Sequence, residues 1–416
     1  MPEAAIEVFT ERDVAGYRPC ELTYVLGKKI PGFDTIVAFD AKAAEDAKIT
    51  YRFRTAVKEI NRTGKYITTD GGRFEYDKLI LATGAAPVLP GLPGMDGKGI
   101  YVLGTDMQYA RDLEPVISRS RSALILGAGA IGLELAEILA GLNYERVVVA
   151  DVADRPLARS LDREIAGTVT ETMSAAGVEF IFSSRVLRVE DSGTGKRVNL
   201  EGREVEVDFV AVAAGFRPNA RLARDCGLEI GDTGGIMVGR NMVTSDPDIY
   251  AIGDVAESWD VISGQPCLSM KADNAVRTAK VAGRHLTGDA GAAFSGTAGG
   301  FIINLMGIFV GAAGYTGEAA AAMRGDNIKT VWHEGMTLPK YLGGHPVKIK
   351  LVGDRETRML LGAQMISKAN VAAELDRLSL AISEKISIER LAGSEIVYTP
   401  ASGWPYGPVA QALDKL

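Results

Sequence analysis

Cys20 is the residue in this 416-residue chain best placed to do covalent chemistry. It opens the stretch Cys20-Glu21-Leu22-Thr23-Tyr24-Val25-Leu26-Gly27, whose apolar spacing predicts a helix beginning beside the thiol. A thiol near a helix N-terminus loses its proton more easily, and the thiolate is the nucleophile. Cys226 and Cys267 lie far off in sequence and read as structural, so Cys20 has no neighbouring cysteine with which to close a disulfide. Its chemistry would be a mixed disulfide with another thiol, a persulfide, or a sulfenic acid. The alternative is a small buried residue without chemistry, as free cysteine often is.

The second constellation binds rather than reacts. Gly127-Ala128-Gly129-Ala130-Ile131-Gly132 follows the apolar run Ala123 to Leu126 and precedes a helical pattern through Leu133, Leu135, Ile138 and Leu139. Strand, glycine loop and helix in that order form a dinucleotide-binding unit. Gly127 permits the tight turn, Gly129 the approach of a pyrophosphate, and Gly132 close packing of helix on strand. A second strand, Arg146 to Ala150, ends in Asp151, 19 residues beyond Gly132. There a carboxylate accepts hydrogen bonds from the adenine ribose and repels a 2′-phosphate, which favours NADH over NADPH. Arg155 and Arg159 nearby moderate that preference.

Composition limits the rest. Hydrophobic residues are 47% and charged residues 24%, ordinary for a globular enzyme, and the length calls for two or three domains. A net charge of −7 without a basic stripe argues against nucleic acid. The scattered His285, His333 and His345, and cysteines without a CxxC, support no metal site. No signal peptide is evident at the N-terminus, which leads to a cytoplasmic expectation. The uncharged stretch Ala290 to Gly317 is diluted by glycine and reads as two buried strands, Phe301 to Leu305 and Ile308 to Ala312, rather than a membrane span.

The elements that must position these groups alternate strand and helix. Ile6 to Phe9 reads as the second strand of a βαβ unit, ending near Glu11, with no first strand or glycine loop ahead of it. Asp70-Gly71-Gly72 reads as a hairpin turn. Tyr76 to Gly84 is a strand ending in Thr83-Gly84, and Pro87, Pro90 and Pro93 mark a crossing between domains. Three strands from Val186 to Val207 suggest a small antiparallel insert. Ile249 to Asp254 is a further strand, followed by a helix from about Met270 to His285. Beyond Phe294 the texture becomes α+β.

Four motifs in this order, YDKLILATG, GAGAIGLELAE, GFRPN and DIYAIGDVAE, resemble the FAD-dependent pyridine nucleotide–disulfide oxidoreductases, in the branch of coenzyme A-disulfide reductases, NADH oxidases and NADH peroxidases. The resemblance spans nearly the whole chain. It implies an α/β fold with two Rossmann-like dinucleotide-binding domains, each a three-layer parallel sheet, plus a C-terminal α+β dimerisation domain. The expected limits are 1–104 and 241–290 for a discontinuous FAD domain, 105–240 for the NAD domain and 291–416 for the dimer domain. It also implies FAD contacts at Glu11, Arg18, Thr83, Gly84 and Asp254, and NAD contacts at Gly127, Gly129, Ile131, Gly132, Asp151 and Gly215. The helix near Met270 would turn its positive end to the flavin. Cys20 matches the family's C-x-L-x-Y-V-[IL]-G pattern as the redox cysteine, and Glu134 matches a glutamate near the nicotinamide and flavin.

Two departures stand out. The glycine loop that opens the family's FAD domain is absent, read either as an N-terminal truncation of about thirty residues, most of a βαβ unit, or as a crippled FAD site. The tail Tyr398-Thr399-Pro400 resembles the segment that enters the partner subunit's site, but the family's second tail tyrosine falls on Ser402. The expected activity is hydride transfer from NADH through FAD to a disulfide, a polysulfide or oxygen at Cys20, in a homodimer. The alternative is an FAD- and NAD-binding subunit that passes electrons to an iron–sulfur or molybdenum/tungsten partner without using a cysteine. Lys28, Lys29 and the Lys340 to Lys350 region could hold a phosphorylated substrate such as coenzyme A.

Overall fold

The computed structural model describes residues 4–38, 41–193 and 195–416. Its centre is a five-stranded parallel sheet in the order Val178–Ile181, Arg146–Ala150, Ser122–Leu126, Phe209–Val212, Ile100–Val102. These strands are continuous apolar runs because both faces are covered. The glycine-loop helix Ala130–Gly141 buries Leu133, Leu135, Ala136, Ile138 and Leu139, so nearly its whole circumference is covered. On its far side it packs against the short helix Leu22–Leu26 and the strand Phe301–Leu305. That helix therefore joins the three parts of the chain. The three-stranded insert Val186–Ser192, Gly195–Leu200 and Arg203–Val207 is antiparallel, as its alternating pattern predicts.

The first part of the chain is built around a core of Ile60, Ile67, Leu81, Ile249, Ala251 and Val255. Ala220, Ala223, Leu228 and Ile236 belong to that core as well. The chain thus returns to the first domain soon after Gly215, earlier than the expected residue 240. At the other crossing, Ile100–Val102 already pairs in the central sheet, ahead of the expected residue 105. Phe216–Pro218 pairs antiparallel with Ala85–Pro87, so the two crossings between domains form one ribbon.

Parallel pairing in the first domain is divided. Ile6–Phe9 pairs with Ile49–Arg52, and Leu79–Leu81 pairs with Ile249–Ala251, in two separate two-stranded sheets. Among the described residues no strand lies between them, and Ile6 and Ile80 are exposed at 47% and 43%.

The C-terminal part is a five-stranded antiparallel sheet, Phe301–Leu305, Ile308–Gly314, Leu360–Ser367, Pro346–Asp354, Ile328–Met336. The uncharged stretch forms its first hairpin, turning at Met306-Gly307 as expected. Helices Ala372–Ser383 and Pro408–Leu413 close the core with Leu378, Ile382, Val409 and Leu413. The last helix lies in a tail whose Pro, Gly and aromatic content hid it from a periodicity reading.

Candidate active site

The glycine loop has the geometry that phosphate binding needs. Gly127 has φ +115°, and a Cβ there would lie 2.3 Å from the Ala213 carbonyl oxygen. A Cβ on Gly132 would lie 2.1 Å from the Gly127 carbonyl oxygen. Around Gly129 the space is open, and this N-cap of the 12-residue helix has no side-chain cap. The first-turn N–H groups are therefore free to face an anion.

Asp151 does more than await a ribose. Its two carboxylate oxygens accept from the Ala128 N–H at 2.6 Å and the Ala153 N–H at 2.8 Å. Leu157 N–H donates to the Ala128 carbonyl at 3.0 Å. Both polar groups of Ala128 are thus fixed by the segment that follows the second strand. Asp151, Ile131 and Gly215 line one continuous cavity of about 3880 Å³ that reaches Cys20.

At the other end of this cavity three predicted residues from different parts of the chain meet. Cys20 lies in a 3₁₀ turn, Pro19–Glu21, ahead of the five-residue helix Leu22–Leu26, and is exposed to the cavity. Thr23 on that helix donates to Glu134 Oε2 at 3.2 Å. Asp254 follows the strand Ile249–Ala251 in the turn Gly253–Val255 and lines the same space.

The electrostatics correct one expectation. The Cys20 thiol is pushed up, not down: burial of its inner side acts first, and the negative charges of Glu134 and then Asp254 add to it. A 3₁₀ turn and a helix of five residues offer too little aligned dipole to offset two carboxylates. Glu134 is itself raised, by burial first, against the Thr23 hydrogen bond. Asp254 is raised by burial alone.

Other predicted residues fall differently. Glu11, Thr83 and Gly84 line the cavity. Arg18 does not: its side chain is 59% exposed and pairs with Glu21 at 3.1 Å, so nothing in its placement directs it to a cofactor. Cys226 is half-buried and lends its Sγ to the Ala223 carbonyl, while Cys267 sits in a short antiparallel pair. Tyr398, Trp404 and Tyr406 are exposed on the C-terminal domain, with Trp404 Nε1 donating to the Met336 carbonyl at 2.9 Å. None of the three borders the cavity.

Several residues here carry no local signal in the sequence. Asn219, in GFRPN, donates its side-chain amide to the Thr83 carbonyl at 2.9 Å and its N–H to the Gly84 carbonyl at 2.9 Å. Thr83 Oγ1 returns a bond to the Asn219 carbonyl at 2.9 Å. Two motifs 136 positions apart are therefore one structural knot. Tyr17 is a second: its hydroxyl donates to the Thr105 carbonyl at 2.6 Å and accepts from Arg12 at 2.8 Å. Lys271 precedes the helix Ala272–Leu286 without capping it through its side chain and enters the cavity, its ammonium on the Gly300 carbonyl at 2.9 Å and its pKa lowered by burial. That helix starts two residues after the expected Met270.

A dinucleotide loop and a thiol–carboxylate end on one cavity, on two nucleotide-type domains and a third domain, define a two-cofactor oxidoreductase. Comparison with known proteins agrees. The family model described as pyridine nucleotide-disulphide oxidoreductase matches residues 3–285, and that of the same family's dimerisation domain matches residues 305–404. The chain belongs to this family, whose members are FAD-dependent enzymes that use a pyridine nucleotide. It is 31% identical to an NADH oxidase of Methanocaldococcus jannaschii, over 98% of this chain and 92% of the relative. It is 30% identical to a CoA-dependent NAD(P)H sulfur oxidoreductase of Pyrococcus abyssi, over 99% and 91%. Among solved structures it superposes on an NAD-dependent persulfide reductase from A. fulgidus with a TM-score of 0.95 at 30% identity, covering 100% of this chain and 79% of that one. No helix among the described residues is long and apolar enough to cross a membrane.

The described residues fit FAD at its flavin end. Asp254 is a half-buried carboxylate without a hydrogen-bond partner among the described residues, an acceptor suited to hydroxyl groups. Lys271 and the uncapped start of the helix Ala272–Leu286 supply positive potential beside it. The FAD phosphate loop is not among the described residues.

Proposed function

We propose that this protein oxidises NADH and delivers the electrons, through FAD, to a disulfide or polysulfide at Cys20. The observation that carries this reading is the convergence of Cys20, Glu134 and Asp254 on the cavity that also holds the glycine loop. FAD supplies the two-electron relay between nicotinamide and sulfur when bound. Gly127, Gly129, Ile131, Gly132, Asp151 and Gly215 hold the pyridine nucleotide; Glu11, Thr83, Gly84 and Asp254 hold FAD. The Cys20 thiolate attacks a disulfide RSSR, displacing RS⁻ and leaving a mixed disulfide. Two electrons from NADH and one proton then return Cys20 to the thiolate and release RSH. In sum, NADH + RSSR + H⁺ gives NAD⁺ + 2 RSH. Burial raises the Glu134 carboxyl above the ordinary carboxylate value, and its Thr23 hydrogen bond holds it at the Cys20 end of the cavity.

The names of the sulfur and persulfide reductases similar to this chain support a sulfur acceptor; the NADH oxidase supports oxygen as a second reading, with Cys20 cycling through a sulfenic acid. The matched dimerisation domain and its exposed Tyr341, Val397 and Tyr398 support a homodimer. Three free cysteines suit a reducing cytoplasm.

The test uses protein reconstituted with FAD and compares Cys20→Ser with the parent. NADH-driven reduction of coenzyme A disulfide and of polysulfide should be abolished while flavin absorbance and NADH binding persist. Unchanged turnover would discard the thiol mechanism. It would favour an electron-transfer subunit serving an iron–sulfur partner.

A further inference from the structure

Arg155 is a cation at the adenosine end of the cavity that is held out of use. It lies four residues beyond Asp151 and borders the same space, yet it is only 8% exposed. Its guanidinium is engaged at all three nitrogens. Nε donates to the Leu161 carbonyl at 3.0 Å, Nη1 to Asp154 at 2.8 Å, and Nη2 to the Ala158 carbonyl at 3.4 Å. Nη2 also makes the shortest of these contacts, 2.6 Å, to Glu318. Glu318 lies in the first turn of the helix Gly317–Arg324, in the C-terminal domain, 163 positions away. The same segment is pinned again at Asp162, which accepts from the Gly317 N–H and Gln364 at 2.8 Å each and from Lys350 at 3.2 Å.

We infer that Glu318 is a coenzyme-selectivity residue that acts through Arg155. By drawing the guanidinium toward the C-terminal domain it leaves Asp151 to face the adenosine 2′ position with little opposing charge. A 2′-phosphate entering there meets a carboxylate, while the nearest buried cation is already paired. Without Glu318, Arg155 loses its shortest charge-assisted bond, and a phosphate dianion offers the fork a better partner than Asp154 and two carbonyls do. Glu318 never touches the nucleotide; it is a positioning residue, and Arg155 is the group it positions. Arg159, exposed on the cavity wall, sets the small affinity for a 2′-phosphate that the parent retains.

This inference rests on the NADH reading above, and the test keeps the two apart. Parent and Glu318→Gln, Glu318→Ala and Glu318→Asp variants of the FAD-reconstituted protein are titrated with 5′-ADP and with 2′,5′-ADP, and assayed for kcat/KM with NADH and NADPH. The parent should prefer NADH and 5′-ADP. Glu318→Ala should raise the NADPH-to-NADH ratio and the relative affinity for 2′,5′-ADP about tenfold, Glu318→Gln should raise both by less, and Glu318→Asp should stay near the parent. Adding Arg155→Leu to Glu318→Ala should erase the gain, whereas adding Arg159→Ser should not. A ratio within twofold of the parent in folded Glu318→Ala, or a gain that survives Arg155→Leu, overturns the inference while leaving the NADH reading intact. A parent that binds neither ADP nor NADH overturns both. Should Glu318→Ala fail to fold, the Glu318→Gln ratio decides alone.

Discussion

At the scale of single residues, the site pairs a thiol with two carboxylates, an arrangement that suppresses the thiolate. Burial acts on Cys20 first and Glu134 second, so at neutral pH the sulfur is held mostly protonated until a positive group or a bound cofactor changes the balance. The sign can be tested directly. Alkylation of Cys20 by iodoacetamide should speed up with pH through a midpoint above that of a free thiol. Glu134→Gln removes one repelling charge, so its midpoint should move down and its rate at pH 7.5 should rise severalfold. A midpoint unmoved by the substitution would mean that Glu134 does not act on the sulfur. Residue type pointed to Cys20 and the family resemblance to Glu134 and Asp254, but the direction of the thiol shift was hidden. It depends on carboxylates that arrive from positions 134 and 254.

At the scale of elements, what was legible is what is local. The glycine loop, its helix and the Met306-Gly307 hairpin follow from period and turn chemistry over a dozen residues. The Asn219 knot was not legible, since it joins two loops through backbone carbonyls that every residue possesses. Nor was the burial of Arg155, whose partner Glu318 lies in another domain. Arg18, matched by motif, turns its side chain outward to Glu21, a placement its sequence context does not announce. The glycine loop permits a sharp expectation. In Gly132→Ala the new methyl would sit 2.1 Å from the Gly127 oxygen, so strand and helix must separate. The cost should be about 1–3 kcal/mol of stability, with NADH affinity falling at least tenfold in fluorescence titration. Gly167→Ala, on a helix with open space around it, is the control and should change neither.

At the scale of the whole molecule, the domains are joined by buried charge as well as by apolar packing. Asp162, 2% exposed, would be pushed up by its burial, but the Gly317 N–H, Gln364 and Lys350 outweigh that and hold its carboxyl below the usual range. Lys350, 9% exposed, reaches across from the C-terminal sheet. Lys350→Met removes the cation and leaves the carboxylate in place. The expected loss is about 3–5 kcal/mol, read as a fall in urea midpoint that the double variant Lys350→Met with Asp162→Asn largely restores. A single variant as stable as the parent would show the pair to be incidental.

The parted sheet of the first domain has a consequence for the protein as a colloid. Among the described residues, Ile6–Phe9 and Leu79–Leu81 each pair on one side only, and each leaves a row of backbone donors and acceptors on the other, with exposed isoleucines beside them. Such edges accept any extended chain that comes near. Both edges border the nucleotide cavity, so an extended segment added to either would also wall that cavity.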